Sequence, residues 1–374
     1  MSKEQNTDPY SVPELNKPIN GDFSLGGLLK HVFTSQLGPV LALFFIVGLF
    51  CIADQIWSEG YFASFRNMRV IMSSASLIAV PAFGMTIIII AAGIDLSAGT
   101  ALTLCGTVLA LQLKNSEVAA SDPGFFAVML WALGITVFTG CMCGFINGGL
   151  ISATKVVPFI VTLGTMTIFL GVGQVLSSES TVYAPKENIP DWMNLCYTGS
   201  VADKYLIPLV PTSVIIAVVL AIAVSLILKY TVFGRNVFAI GSSESTARLC
   251  GINVPMMVMG VYTLAGFFVA VGGLLYFADV KNGNPSDGTG KELEIIAAVV
   301  LGGGSLSGGR GSILGTLVGA LIITVIRSGC SQLSIPNTYT HIIIGAIIII
   351  AVIVDQLRNG SPEWFFRMFS SNRS

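Results

Sequence analysis

Asp95 is the only acid between Val70 and Leu113, in a block that is otherwise apolar or small. A carboxylate inside a bilayer costs about 2.5–3.5 kcal/mol on the insertion scale, so it must be paired or must face water or protein. It lies in Gly93-Ile-Asp-Leu-Ser-Ala-Gly99, with apolar runs on both sides. Such a stretch can break a helix into two halves and present backbone groups, Asp95 and Ser97 to a polar route. The favoured reading is that Asp95 caps the second half, accepting N–H bonds near its start, and the two roles can coexist. A second run, Gly302 to Gly311 (GGGSLSGGRG), repeats the layout and brings Ser305 and Ser307 to the same kind of turn. No catalytic set can be argued: there is no Ser–His–Asp arrangement and no pair of catalytic carboxylates, and His31 and His341 stand alone. Cys141 and Cys143 form a C-x-C with no His or acid nearby, which suits small packing side chains better than a metal site. No cofactor and no metal are expected.

The elements that must hold these residues are membrane helices. The chain is 53% hydrophobic and only 10% charged, against about 25% charged in soluble domains. A net charge of −1 gives no basic footprint for nucleic acid. Glycine is abundant, at 41 residues, as where helices pack closely in lipid. The seven cysteines are odd in number and dispersed, which is not a disulfide framework. Apolar segments run over Gly38–Ala53, Val70–Ala92, Thr100–Leu113, Phe125–Leu150, Pro158–Leu176, Ile207–Leu228, Pro255–Phe277, Leu293–Leu301, Ser312–Ile326 and His341–Val354. Leu293–Leu301 is too short to cross alone. Met85–Gly99 aligns without gaps on Ile295–Gly309, each an apolar run meeting glycine and then Leu-Ser-x-Gly. The expected fold is an all-α membrane protein of about ten transmembrane segments, two broken by Gly-rich turns, with a parallel internal repeat. Residues 1–36 read as a polar cytoplasmic tail and not a signal peptide, 37–358 as the membrane domain and 359–374 as a cytoplasmic tail. With both ends inside, Lys and Arg show a weak positive-inside bias.

The stretch that organises the rest is Thr231 to Val254, TVFGRNVFAIGSSESTARLCGINV, polar enough to lie in water between two spans. Ser242 to Cys250 can form a short helix, with Ser242 or Ser243 capping its start and Gly251 ending it. The pattern Phe-Gly-Arg, then Ala-Ile-Gly, then Ala-Arg-Leu-x-Gly-Ile-Asn-Val resembles the cytoplasmic coupling loop of sugar-type ABC importer permeases, the ribose, xylose and arabinose group. The Gly-Ile-Asp-Leu-Ser stretch and the run at Gly302–Gly311 resemble that family's motifs too. So do Asn147-Gly-Gly and Pro158-Phe-Ile-Val-Thr-Leu-Gly-Thr165. The chain departs from the family at Ser242 and Ser243, where Gly-Asn is usual, and at Thr246, where Ala is usual.

The resemblance implies that loop 229–254, through Gly234, Arg235, Glu244, Ala247, Arg248 and Gly251, sits against a separate ATP-hydrolysing subunit. It implies a periplasmic sugar-binding protein as donor and a second permease copy or paralogue as partner in the inner (plasma) membrane. The cargo implied is a monosaccharide, a pentose such as ribose or xylose, moved by alternating access. Asn147, Thr162 and Thr165 can offer hydrogen bonds to a polyol in the route, or equally serve helix packing. Leu306-Ser-Gly-Gly-Arg310 looks like the signature peptide of ABC ATPases, but the chain has no G-x-x-x-x-G-K-[ST] loop, so it is expected to be a transporter subunit and not an ATPase. Other possibilities are another cargo (an autoinducer, nucleoside or branched-chain amino acid), an ion-coupled secondary transporter, which would need acids and cations converging at mid-membrane, and a non-transporting scaffold.

Overall fold

The computed structural model describes residues 38–359 apart from 58–59, 119–121, 123, 195 and 197–209. The expected tails fall outside these residues, Asn359 excepted. In chain order the helices are α1 (Gly38–Trp57), α2 (Phe65–Ile90), α3 (Ala98–Lys114), α4 (Phe125–Thr154), α5 (Pro158–Leu176) and α6 (Asp191–Asn194). They continue with α7 (Thr212–Tyr230), α8 (Val232–Ser242), α9 (Glu244–Leu249), α10 (Val254–Val280), α11 (Lys291–Leu301), α12 (Ile313–Gln332) and α13 (Asn337–Asn359). A two-residue antiparallel ladder pairs β1 (Val182–Tyr183) with β2 (Asn282–Gly283).

Among the described residues seven helices are long and apolar enough to cross a membrane: α1, α2, α4, α5, α7, α10 and α12. At 1.5 Å per residue α3 and α11 reach only about 25 and 16 Å, short of a hydrocarbon core of about 30 Å. They are the short partners that the two interruptions leave beside α2 and α12.

Both interruptions end their helix in the same way. Gly93 N–H reaches back to the Ile88 carbonyl (2.9 Å) and Ala92 N–H to Ile89, with Ala92 at φ 61°. Gly304 N–H reaches Val299 (2.9 Å) and Gly303 N–H reaches Val300, with Gly303 at φ 88°. A left-handed residue flanked by this pair of bonds closes a helix and satisfies its last carbonyls. The two terminators match with an offset one residue larger than the Leu-Ser-x-Gly alignment gives, because the second turn reaches its Leu-Ser one residue sooner.

α2 forms the centre and is buried over most of its length, whereas α1 packs on the outside with nearly all its residues at least partly exposed. α4 and α10 meet through small residues: a Cβ on Gly144 would run into the backbone of Tyr262, and one on Gly266 into that of Gly140. Close backbone approach of this kind is how helices gain packing energy without a hydrophobic drive in lipid. The end of α2, the α4–α5 turn and residues 240–258 surround one cavity, which defines a loop face. Asn67, near the start of α2, meets Ser328 and Gln332 at the end of α12 on the far face, where Ser328 Oγ donates to Asn67 Oδ1 at 2.7 Å.

Candidate functional site

The polar stretch between α7 and α10 folds as two short helices rather than one. Thr231 caps α8, its hydroxyl accepting from Gly234 N–H at 3.2 Å, and Ser243 caps α9, accepting from Thr246 N–H at 3.3 Å. Gly251, at φ 81°, turns the chain out of α9, and Ile252 N–H closes the turn on the Ala247 carbonyl at 3.1 Å. The expected loop residues divide into two groups. Gly234 is buried against the backbone of Leu228, and Ala247 is buried with Ile240 and Val254, so these two fix the loop to the bundle. Arg235, Glu244 and Arg248 are exposed, and Arg248 donates to Glu244 at 2.6 Å, one turn away. Leu249 is 88% exposed beside them.

Gly241, at the end of α8, is where this loop meets the helix breaks. Gly309 N–H donates to the Ile90 carbonyl at 2.8 Å, so the second interruption is bonded to the end of α2. A Cβ on Gly241 would strike the same Ile90 carbonyl and would come within 2.6 Å of Gly309 N. A Cβ on Gly308 would come within 2.7 Å of the Gly241 carbonyl. Loop, end of α2 and second break therefore approach backbone to backbone at Gly241, an approach open only to a residue without a side chain. The role of these glycines in close approach is visible only in three dimensions.

Around the first break the structure gathers four of the expected polar residues. Asp95 is buried, and its Oδ1 accepts from Ser97 N–H at 2.8 Å and from Ser97 Oγ at 2.7 Å. Asn147, on α4, donates through Nδ2 to Ser97 Oγ at 2.8 Å and to Asp95 Oδ1 at 3.4 Å. Its own amide oxygen is buried with no hydrogen-bond partner among the described residues. Thr162 Oγ1, on α5, lies 3.5 Å from the Ile94 carbonyl. Thr165 bonds back to the Thr162 carbonyl at 3.3 Å and stays within its own helix. Ser97, not Asp95, is the residue flanking α3, and its side chain makes no cap bond. Asp95 instead orders the turn just upstream of that helix.

Tyr262 completes this group and was not foreseen. Its hydroxyl donates to the Ile94 carbonyl at 3.1 Å from within α10. The available signal is general: a tyrosine buried in an apolar span has to find a partner for its hydroxyl. The second break keeps apart from the group. Ser305 is buried and donates to Asp355 on α13 at 3.2 Å, while Ser307 is exposed. A cavity of about 490 Å³ opens on the loop face between the first break, the α4–α5 turn and α9; Tyr262, Lys155 and Arg248 line it.

Comparison with known proteins matches residues 67–352 to the family described as branched-chain amino acid transport system / permease component. The chain belongs to this permease family. Within the family, its sequence is 35% identical over 298 residues to the ribose import permease protein of Escherichia coli (strain K12), covering 79% of this chain and 87% of that one. It is 34% identical over 324 residues to the ribose import permease protein of Bacillus subtilis (strain 168), covering 87% and 94%. It is 32% identical over 333 residues to the fructose import permease protein of Rhizobium meliloti, covering 88% of each. No solved structure matches. The sugar-type ABC importer group that the motifs resemble is thus where the chain falls, as a multi-pass membrane permease subunit.

Proposed function

We propose that this chain is the membrane subunit of an ATP-driven importer for a monosaccharide, with a pentose such as ribose or xylose as cargo. The observation that carries this is the backbone junction of Gly241, Ile90 and Gly309. It sets a water-lying loop directly on both helix breaks of a permease whose relatives include ribose importers. α9 is the docking element for a separate ATPase. Leu249 supports this, because a large apolar side chain on a water-lying helix is stabilised when a partner covers it. In this proposal the chain passes the inner membrane ten times, α13 included, the passages through the short α3 and α11 being completed by the non-helical residues beside them, with the two breaks in parallel repeats and both termini and the loop facing the cytoplasm. A periplasmic binding protein delivers the sugar, and a second copy or a paralogue completes the conduit. ATP binding and hydrolysis on the partner shift α9, and Gly241 passes that shift to the breaks.

Tyr262 lines the cavity beside α9, and the buried group to which it belongs, Asp95, Ser97, Asn147 and Thr162, is the proposed inner part of the route. Thr165, Ser305 and Ser307 are proposed as packing and turn residues of the same half-helices. The deciding experiment is uptake of labelled ribose, xylose and fructose in cells with and without the cognate ATPase. Uptake that vanishes with the ATPase supports the proposal; uptake by the purified chain alone in proteoliposomes overturns it in favour of ion coupling. Preference for fructose over the pentoses would move the cargo to a hexose, the second possibility that the Rhizobium meliloti relative raises.

A further inference from the structure

On the far face three cavities abut, of about 520, 160 and 530 Å³, and Arg327 lines all of them. Its guanidinium is paired with Glu294 in the first turn of α11. The middle cavity, with room for roughly five waters, has an apolar floor of Ile78, Leu102 and Ile295. Its polar wall carries Asp279, Lys291, Glu294 and Arg327. Lys291 Nζ is 4.5 Å from the centre of the Tyr276 ring, and Tyr276 OH reaches Asp287 at 3.4 Å.

The pair stands towards the outer end of the bundle. Arg327 is five residues, about 7 Å, from the Gln332 end of α12, and its side chain is 41% exposed, whereas that of Glu294 is 15% exposed. Ionisable groups in a membrane bundle are stable when they pair or face a water-filled space, and they mark solute paths. The backbone that carries α11 is drawn into the bundle to place them there: Thr103 Oγ1 donates to the Pro285 carbonyl at 2.9 Å, and Gly288 rests on the backbone of Gly99.

We propose that the Arg327–Glu294 pair divides an outer reception chamber for a neutral polyol of monosaccharide size, and that opening the pair joins the three cavities. Two features support this. First, the 160 and 530 Å³ cavities each set Lys291 and Arg327 against two acids, Asp279 and Glu294 in one and Asp287 and Glu294 in the other, so neither sign of charge is in excess there; the 520 Å³ cavity has Arg66 and Arg327 and, among the described residues, no acid. Secondly, the donor and acceptor types match hydroxyls: a guanidinium fork and an ammonium donate, and carboxylates accept. The polyol replaces part of the ion pair by bonding both partners, so the gate exchanges hydrogen bonds rather than losing them. The proposal rests on the monosaccharide cargo proposed above and adds to it the place of first contact within this chain.

The test uses the full chain in lipid nanodiscs, titrated with millimolar D-ribose, D-xylose and D-fructose, with thermal unfolding as readout. The expected result is a saturable rise in unfolding temperature with at least one sugar, half-saturating at five-fold or more higher concentration in Glu294→Gln and in Arg327→Lys. Arg327→Lys keeps the charge but loses the planar fork, so it separates recognition from folding. Ribose 5-phosphate and glucosamine should bind at least five-fold more weakly than the neutral sugar. Sugar binding unchanged in both variants, binding only of a charged analogue, or no binding of any sugar overturns the chamber. ATPase-dependent uptake is then measured in cells for the same variants. Normal uptake in Glu294→Gln and Arg327→Lys rejects the chamber and leaves the importer standing, whereas ATPase-independent uptake by the unaltered chain rejects the importer itself.

Discussion

At the residue scale Asp95 acts through Ser97, taking both its N–H and its hydroxyl, and Asn147 closes the triangle from a different helix. The side chain that matters is therefore an acceptor more than a charge. Asp95→Asn keeps an oxygen at that position and should fold to near the yield of the parent chain. Asp95→Ala leaves two buried donors unmet, at about 1–3 kcal/mol for each unsatisfied group. It should lower the folded yield and the unfolding temperature in detergent more than it alters cargo affinity. Fluorescence-detected size exclusion across a temperature series measures this; equal stability of Asp95→Ala with lost uptake would place the carboxylate on the cargo instead. That Asp95 needs a partner follows from its solitude in an apolar block, so the sequence carries that much. That the partner is Asn147, fifty-two residues away, depends on how α4 stacks against the break, and no local pattern encodes it. Tyr262 was missed for the same reason: nothing in its immediate neighbours separates a bonded tyrosine from one that merely fills space.

At the element scale most helix positions are legible, because an apolar run of membrane length has few alternatives to a helix in lipid. Pro158–Leu176 falls where the sequence places it, and the segment from Phe125 runs four residues beyond Leu150. α8 is the exception. The sequence places one short helix at Ser242–Cys250, yet α8 precedes it from Val232 to Ser242 with Gly234 and Gly241 inside it, because each serves a close contact rather than a turn. This sets two predictions for the loop. Arg248→Glu exchanges an exposed pair worth about 0.3–0.5 kcal/mol for a mild repulsion, so membrane yield should hold while ATPase co-purification and uptake fall. Normal uptake by this variant would remove α9 from the interface. Gly241→Ala acts on the other side of the joint. Its methyl would strike the Ile90 carbonyl, a strain of about 1–3 kcal/mol. With α9 untouched, ATPase binding should persist while uptake drops at least several-fold. Joint loss of binding and uptake would mean that the junction only supports the loop and passes nothing on.

At the scale of the whole molecule the loop face and the far face differ in construction, and the proposed direction of transport depends on which one meets the cytoplasm. On the loop face, loop and breaks approach backbone to backbone at Gly241, the linkage proposed to pass displacement on. Charged side chains line cavities on both faces, Lys155, Glu244 and Arg248 on the loop face and Asp279, Lys291, Glu294 and Arg327 on the far face, the one proposed to receive the solute. Charge asymmetry in the sequence is too weak to orient the two, since Arg66 and Arg69 fall on the outer side of the proposed arrangement. A native thiol supplies the measurement. Cys250 is exposed at the end of α9, whereas burial pushes the Cys196 thiol up to about 11 and keeps it in the unreactive thiol form at neutral pH. A membrane-impermeant maleimide should therefore label Cys250 in inside-out vesicles and leave it unmodified in right-side-out ones, and Cys250→Ser should abolish the signal. A bound ATPase should also slow the labelling several-fold, because Cys250 adjoins Leu249 on the face proposed to be covered. Labelling from the periplasmic side would put the loop beyond reach of any nucleotide-driven partner, and the far-face chamber would then open inward.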